Sequence, residues 1–212
     1  VAGFKASVQS FAELAAPGES GLGTAAIGTR VLFTQGKLAR SGGPFDLAIE
    51  GPGFLRVVDA RGRRAYTRDG SFARAADGTL RNAAGWRLDG VRIPPDALRA
   101  SVASDGAVTA TFASGTRAVG RIRIAEFPSP EHLRATGGTL FEATADAGPV
   151  SFATPGKDGG PQLRFGMLEQ SNVSIVESMM GILRAQRAYE ADAKGVQAAD
   201  EMLRIANNLQ RG

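Results

Sequence analysis

Catalysis requires groups that move protons, attack carbon or phosphorus, or hold metals, and this chain is short of them. His132 is its one histidine, so no two-histidine metal site exists and any serine triad would have to recruit that single base. The serines also lack the G-x-S-x-G setting that exposes a nucleophile on a strand-to-helix turn. There is no cysteine, which excludes thiolate nucleophiles, thiolate metal ligands and disulfides. Paired carboxylates remain: Asp46 with Glu50, or Asp69 with Asp77, are local candidates for the two acids that flank a glycosidic bond. Each reads more simply as a turn former or a charge at a strand edge. The glycines of GESGLG and GKDGG have neither the spacing nor the setting of a phosphate-cradling loop. The residues therefore predict no catalytic group, no metal ligand and no cofactor site.

Composition narrows the classes further. With 212 residues, 43% of them hydrophobic, the chain can bury one sizeable core, and its 28 glycines and 10 prolines imply many turns. One β-rich domain with helical ends fits this better than two domains. The net charge of +4 comes from arginines spread singly or in pairs, and the one local cluster, Arg61, Arg63, Arg64 and Arg68, brackets Gly62 as a solvated hairpin tip would. Nucleic acid is not an expected partner. No apolar run approaches the roughly 18 residues that span a bilayer, and VAGFKASVQSF holds no hydrophobic signal region, so neither membrane embedding nor a cleavable signal is expected. A first residue of Val1 rather than methionine leads us to expect an upstream segment.

Along the chain, residues 1–30 read as an arm or short helix, because Phe4, Val8, Phe11 and Leu14 have helical spacing before PGESGLGTAAIGT interrupts it. Residues 31–165 read as a compact β domain built of hairpins. DLAIE, FLRVVD and RAYTR are strand-like runs parted by glycine and proline, and Asp77-Gly78 and Asp105-Gly106 mark tight turns. RIRIAEF at 121–127 alternates as a half-buried strand does. Ser129 followed by Pro130 opens a short helical turn, and TPGKDGGPQ at 154–162 reads as a flexible joint. Residues 166–212 then hold one long amphipathic helix, from a cap at Ser171 or Asn172 to about Leu209, broken by no proline. Ile182, Tyr189, Val196 and Leu203 recur every seven residues, with Met179 and Ala193 at the alternate seam positions, which predicts a coiled-coil seam interrupted at Gln186 and Asp200. A stripe of this kind at a chain end needs a partner helix.

These segments carry a family likeness. Residues 45–90 contain DLAI-x-G-x-GF, YTR-x-G-x-F, DG-x-L and G-x-x-L-x-G, and the tail contains S-N-V-x-x-V-E followed by QRAYE. Together with VAGFK at the start, this resembles the flagellar basal-body rod and hook protein family over nearly the whole chain, and the distal rod type most. The proximal rod and hook types are alternatives. The resemblance implies a polymer subunit whose copies stack helically into the hollow shaft that crosses the periplasm, with helices inside and a β domain outside. It adds Asn172 and Val176 to Met179, Ile182, Tyr189, Val196 and Leu203 as expected interface residues. It also implies that a helix typical of the family, absent here, precedes the GFK step. The partners it implies are further copies, neighbouring rod and hook subunits, the surrounding rings, and the flagellar export apparatus, which carries subunits out without a cleavable signal. A secreted β domain that binds glycan or protein is the reading from a different class, and it leaves the long helix unexplained.

Overall fold

The computed structural model describes residues 1–13, 24–157 and 159–209. It contains two compact units, the first Val1–Asn172 and the second from Val173 onward. The first is mainly antiparallel β. Its principal sheet runs Arg99–Val102, Ala107–Phe112, Gly115–Arg121, Arg87–Arg92, Phe54–Val58, Arg64–Thr67, Leu140–Glu142 and Arg134–Gly137, with neighbours in this order hydrogen-bonded.

Side-chain alternation lets the strand Phe54–Val58 serve two apolar clusters. Leu55 and Val57 enter one with Leu47, Ile49, Leu80, Leu88 and Ile124. Phe54 enters the other with Tyr66, Phe127 and Phe141. In that second cluster the rings meet edge to face, Tyr66 on Phe127 at 4.8 Å and Phe33 on Phe54 at 4.9 Å between centroids. This arrangement sets the positive ring edge against the negative face.

The expected turns at Asp77-Gly78 and Asp105-Gly106 are present. The Gly78 N–H donates to the Ala75 carbonyl at 2.9 Å and that of Gly106 to Ala103 at 2.9 Å. Both glycines are left-handed, at φ of +80° and +79°. Each tip also lies against a further strand, since the Gly78 and Gly106 carbonyls accept from the N–H groups of Ile93 and Ile122. A β-carbon would sit 2.2 Å from the Ile93 oxygen at Gly78 and 2.2 Å from the Ile122 oxygen at Gly106, so conformation and space both demand glycine.

Three local expectations are corrected. The amino-terminal segment is no helix: Ser7–Glu13 pairs antiparallel with Thr24–Val31, with a bulge between Ser10 and Phe11. Val8 is about half exposed, so the helical spacing does not mark a buried stripe, and pairing with a distant strand decides the conformation. Leu14 lies outside the described residues. The alternation at 121–127 does bury Ile122 and Ile124, but it spans a break, with Gly115–Arg121 ending and Ile124–Glu126 pairing anew with Ser151–Ala153. The stretch 154–162 is a turn tied by Gly156 N–H to the Pro161 carbonyl at 2.8 Å, not a joint before the helix. Asp158 is outside the described residues. Two strands follow, Gln162–Phe165 on Leu47–Glu50 and Met167–Glu169 on Leu38–Arg40, so the β unit continues to Asn172. The short helical turn expected after Ser129 is present as a 3-10 helix, Pro130–His132, with Ser129 at the cap position but no side-chain cap hydrogen bond.

Candidate assembly interface

The second unit is the helix Ile175–Leu209, 35 residues, or about 52 Å at 1.5 Å per residue. Its start is later than the expected Ser171 or Asn172. The Glu177 N–H donates to the Ser174 hydroxyl at 3.3 Å, so Ser174 is the cap, and Ser174-x-x-Glu177 has the spacing of a capping box. Glu177 in the first turn suits the positive end of the helix dipole.

All six expected interface residues on this helix are open to solvent: Val176, Met179, Ile182, Tyr189, Val196 and Leu203 are between 59% and 77% exposed. Their seven-residue repeat drifts by about 20° per heptad on a straight helix, which is why such stripes wind left-handed around a partner. Sequence reasoning missed the width of the face at its amino-terminal end. Ile175, Met180 and Leu183 are exposed there as well, flanking Val176, Met179 and Ile182. Within Ile175–Leu183 the apolar surface is therefore a broad patch; it narrows around Tyr189 and Val196 and widens again at Met202, Leu203 and Ile205. The IVESMM run carried this signal, but a strict heptad count passes over it.

Asn172 lies apart from the other six. It closes the β unit, and its side-chain amide ties together two segments distant from it in sequence, one at Ala6 and one at Leu32–Thr34. The Nδ2 group donates to the Leu32 carbonyl and to the Thr34 hydroxyl, both at 2.8 Å, while Oδ1 accepts the Ala6 N–H at 2.8 Å.

Three residues earlier sits a group that the sequence reading did not anticipate. Glu169 is fully buried, and its Oε1 accepts from Lys5 Nζ at 2.6 Å and from the Gly36 N–H at 2.8 Å. Its Oε2 accepts from Arg68 Nη1 at 3.2 Å. Arg68, expected at a solvated hairpin tip, is only 3% exposed, because it lies past the inner end of the strand Arg64–Thr67. One carboxylate thus serves two buried cations. Lys5 also reaches the Thr34 carbonyl at 2.7 Å, and Arg68 the Gly51 carbonyl at 2.8 Å. Burial lowers the pKa of both Lys5 and Arg68, and the Glu169 charge opposes that shift. Lys5 of the GFK step, Arg68 of YTR-x-G and Glu169, two residues before the S-N-V motif, are far apart in the chain and meet in this triad. Lysine, arginine and glutamate are normally surface residues, so only their recurrence inside motifs hinted at it.

The candidate carboxylate pairs are engaged elsewhere. Glu50 accepts from Arg164 Nε at 2.6 Å, and Asp77 from the Thr79 hydroxyl and Arg81 at 2.6 Å each. Asp46 is buried, and its charge is felt instead by Asp69, which accepts from the Ser71 N–H at 3.0 Å. Burial raises the Asp69 pKa above the ordinary carboxylate value. No helix among the described residues is long and apolar enough to cross a membrane.

Residues 48–110 match the flagellar hook protein FlgE/F/G D1 domain, and residues 165–209 match the flagellar basal body rod FlgEFG protein C-terminal domain. The flagellar basal-body rod protein FlgG of Borreliella burgdorferi is 39% identical over 196 residues, covering 90% of this chain and 74% of the relative. The FlgG of Buchnera aphidicola subsp. Schizaphis graminum is 32% identical over 192 residues, covering 89% and 74%. The flagellar basal-body rod protein FlgF of Caulobacter vibrioides is 36% identical over 179 residues, covering 82% and 69%. With matched motifs running from the GFK step to the terminal helix, the chain belongs to the flagellar basal-body rod proteins of the FlgG type, a structural family and not an enzymatic one.

Proposed function

We propose that this chain is a distal rod subunit that polymerises through its terminal helix, with Val176, Met179, Ile182, Tyr189, Val196 and Leu203 packing on helices of neighbouring copies. The observation that carries this reading is a 35-residue helix whose apolar side chains stand in solvent. Burying each such side chain contributes about 1.5–3 kcal/mol, and several together outweigh the ordering of two helices. Asn172 contributes from the base, by fixing the point at which the chain leaves the β unit. In this reading residues 166–172 complete the β unit, and the rod-forming helix is capped at Ser174. The subunit takes its place in the rod across the periplasm, beside other rod and hook subunits and inside the surrounding rings. It reaches that place through the flagellar export apparatus.

The test is Ile182→Asp with Val196→Asp in the gene as the cell carries it. Rod assembly and swimming are expected to be lost while the β unit unfolds at its parental midpoint. Swimming by the double variant overturns the assignment of this face. Similarity to FlgF keeps a proximal position as a second reading. Complementation of a strain lacking its distal rod subunit decides between them.

A further inference from the structure

The β unit carries a second charged feature, and unlike the buried triad it is open. A cleft of about 200 Å³ is lined by Arg56, Asp89, Gly90, Arg121, Arg123 and Phe152. Two guanidinium groups lie over the Phe152 ring, Arg56 at 4.3 Å and Arg123 at 5.5 Å from its centre. The negative ring face supports both cations on an apolar floor. The nearby carboxylates are already committed. Asp89 accepts from Arg56 Nε at 2.6 Å, and Asp105 pairs with Arg121 at 3.3 Å. Arg123 is exposed and has no carboxylate partner among the described residues. Three cations therefore meet two anions, and one positive charge is left over.

Opposite charge stands elsewhere on the same unit. The Thr144 hydroxyl donates to the His132 carbonyl at 2.7 Å, and the Ser129 N–H to the Ala147 carbonyl at 3.3 Å. These bonds join the turn at 129–132 to the loop at 144–147. The joined segment presents Glu131 and Asp146, neither of which is in a salt bridge among the described residues.

We propose that the Arg56–Arg121–Arg123 cleft receives this acidic segment from a second copy of the chain, with Arg123 pairing to Glu131 or Asp146. The proposal rests on the reading of the chain as a polymer subunit. A contact between two different patches of one molecule is heterologous, and when the rotation does not close it propagates a helical filament. Charge at such a site sets register between neighbours more than it sets affinity. The helix would then supply the adhesion between subunits and the cleft their alignment.

The experiment is a charge swap in the full-length protein, read as rods per cell and swimming. Arg123→Glu is expected to lower rod yield at least ~10-fold. Because Arg123 is exposed, the unfolding midpoint followed by Trp86 fluorescence should not move; if it does, Arg123→Gln replaces it. Adding Glu131→Arg or Asp146→Arg should restore assembly. Parental assembly by Arg123→Glu overturns the proposal, and so does failure of both reversals to restore it. Either failure is distinct from failure of the polymer reading, which would show instead as normal assembly by the Ile182→Asp, Val196→Asp variant.

Discussion

The two units of this chain treat charge and apolar surface in opposite ways. In the β unit, Leu47, Ile49, Leu55 and Ile124 are covered, and even the charges of Lys5, Arg68 and Glu169 are drawn inside and paired. In the helix, Ile182, Tyr189, Val196 and Leu203 stand in water, and the Arg204–Glu201 ion pair is on the surface. The β unit covers its core and pairs its buried charges within itself. A helix in a protein gains most of its stability from packing an apolar face, and on this helix that face is open.

The strongest way to break this contrast is Glu169→Gln. Removing the carboxylate leaves Lys5 and Arg68 as buried, uncompensated cations, and we expect the β unit to lose about 3–5 kcal/mol. Urea unfolding followed by Trp86, the single tryptophan, measures it. A loss under about 1 kcal/mol would mean that the triad is solvated and the contrast overstated.

Next in size is Gly78→Val, which places a branched side chain at positive φ and against the Ile93 carbonyl. A cost of about 2 kcal/mol or more is expected in the same unfolding measurement. An unchanged midpoint would place the rigidity of the hairpin elsewhere. Asn172→Ala removes three backbone tethers on a half-buried side chain, with about 1 kcal/mol expected. Here the sharper readout is hydrogen exchange at Ala6, which should accelerate when its acceptor is lost.

Acid titration probes the β unit more gently. Because burial raises the folded pKa of Asp69 above its unfolded value, its contribution is fully present below the ordinary carboxylate pKa of 3.8. That contribution is lost as pH rises through the folded value. Asp69→Asn should flatten this part of the stability profile, and an unaltered slope would show that other carboxylates dominate it. The smallest effect belongs to the helix. Tyr189→Ala should change the stability of the isolated chain by no more than about 0.5 kcal/mol, as exposed positions generally do. A larger loss would mean that the stripe is already packed within a single chain.

Much of this molecule was legible because it is written locally. A glycine after aspartate between strand-like runs specifies a turn at Gly78 and Gly106, since few other residues tolerate that backbone. The absence of proline between Ile175 and Leu209, with an apolar residue every seven, specifies a long helix with one sticky side. The motifs assigned the family for the same reason, being short patterns read in order. What the sequence by itself did not disclose is who pairs with whom. Ser7–Glu13 is a strand because Thr24–Val31 lies beside it, and 162–169 belongs to the β unit because Leu38–Arg40 and Leu47–Glu50 accept it. Only the tertiary structure decided that Arg68 and Lys5 are buried, because the carboxylate that permits it is 101 residues from one and 164 from the other. Periodicity and turn chemistry act over a few residues, whereas the neutralising of a charge or the completing of a sheet depends on what the fold brings near.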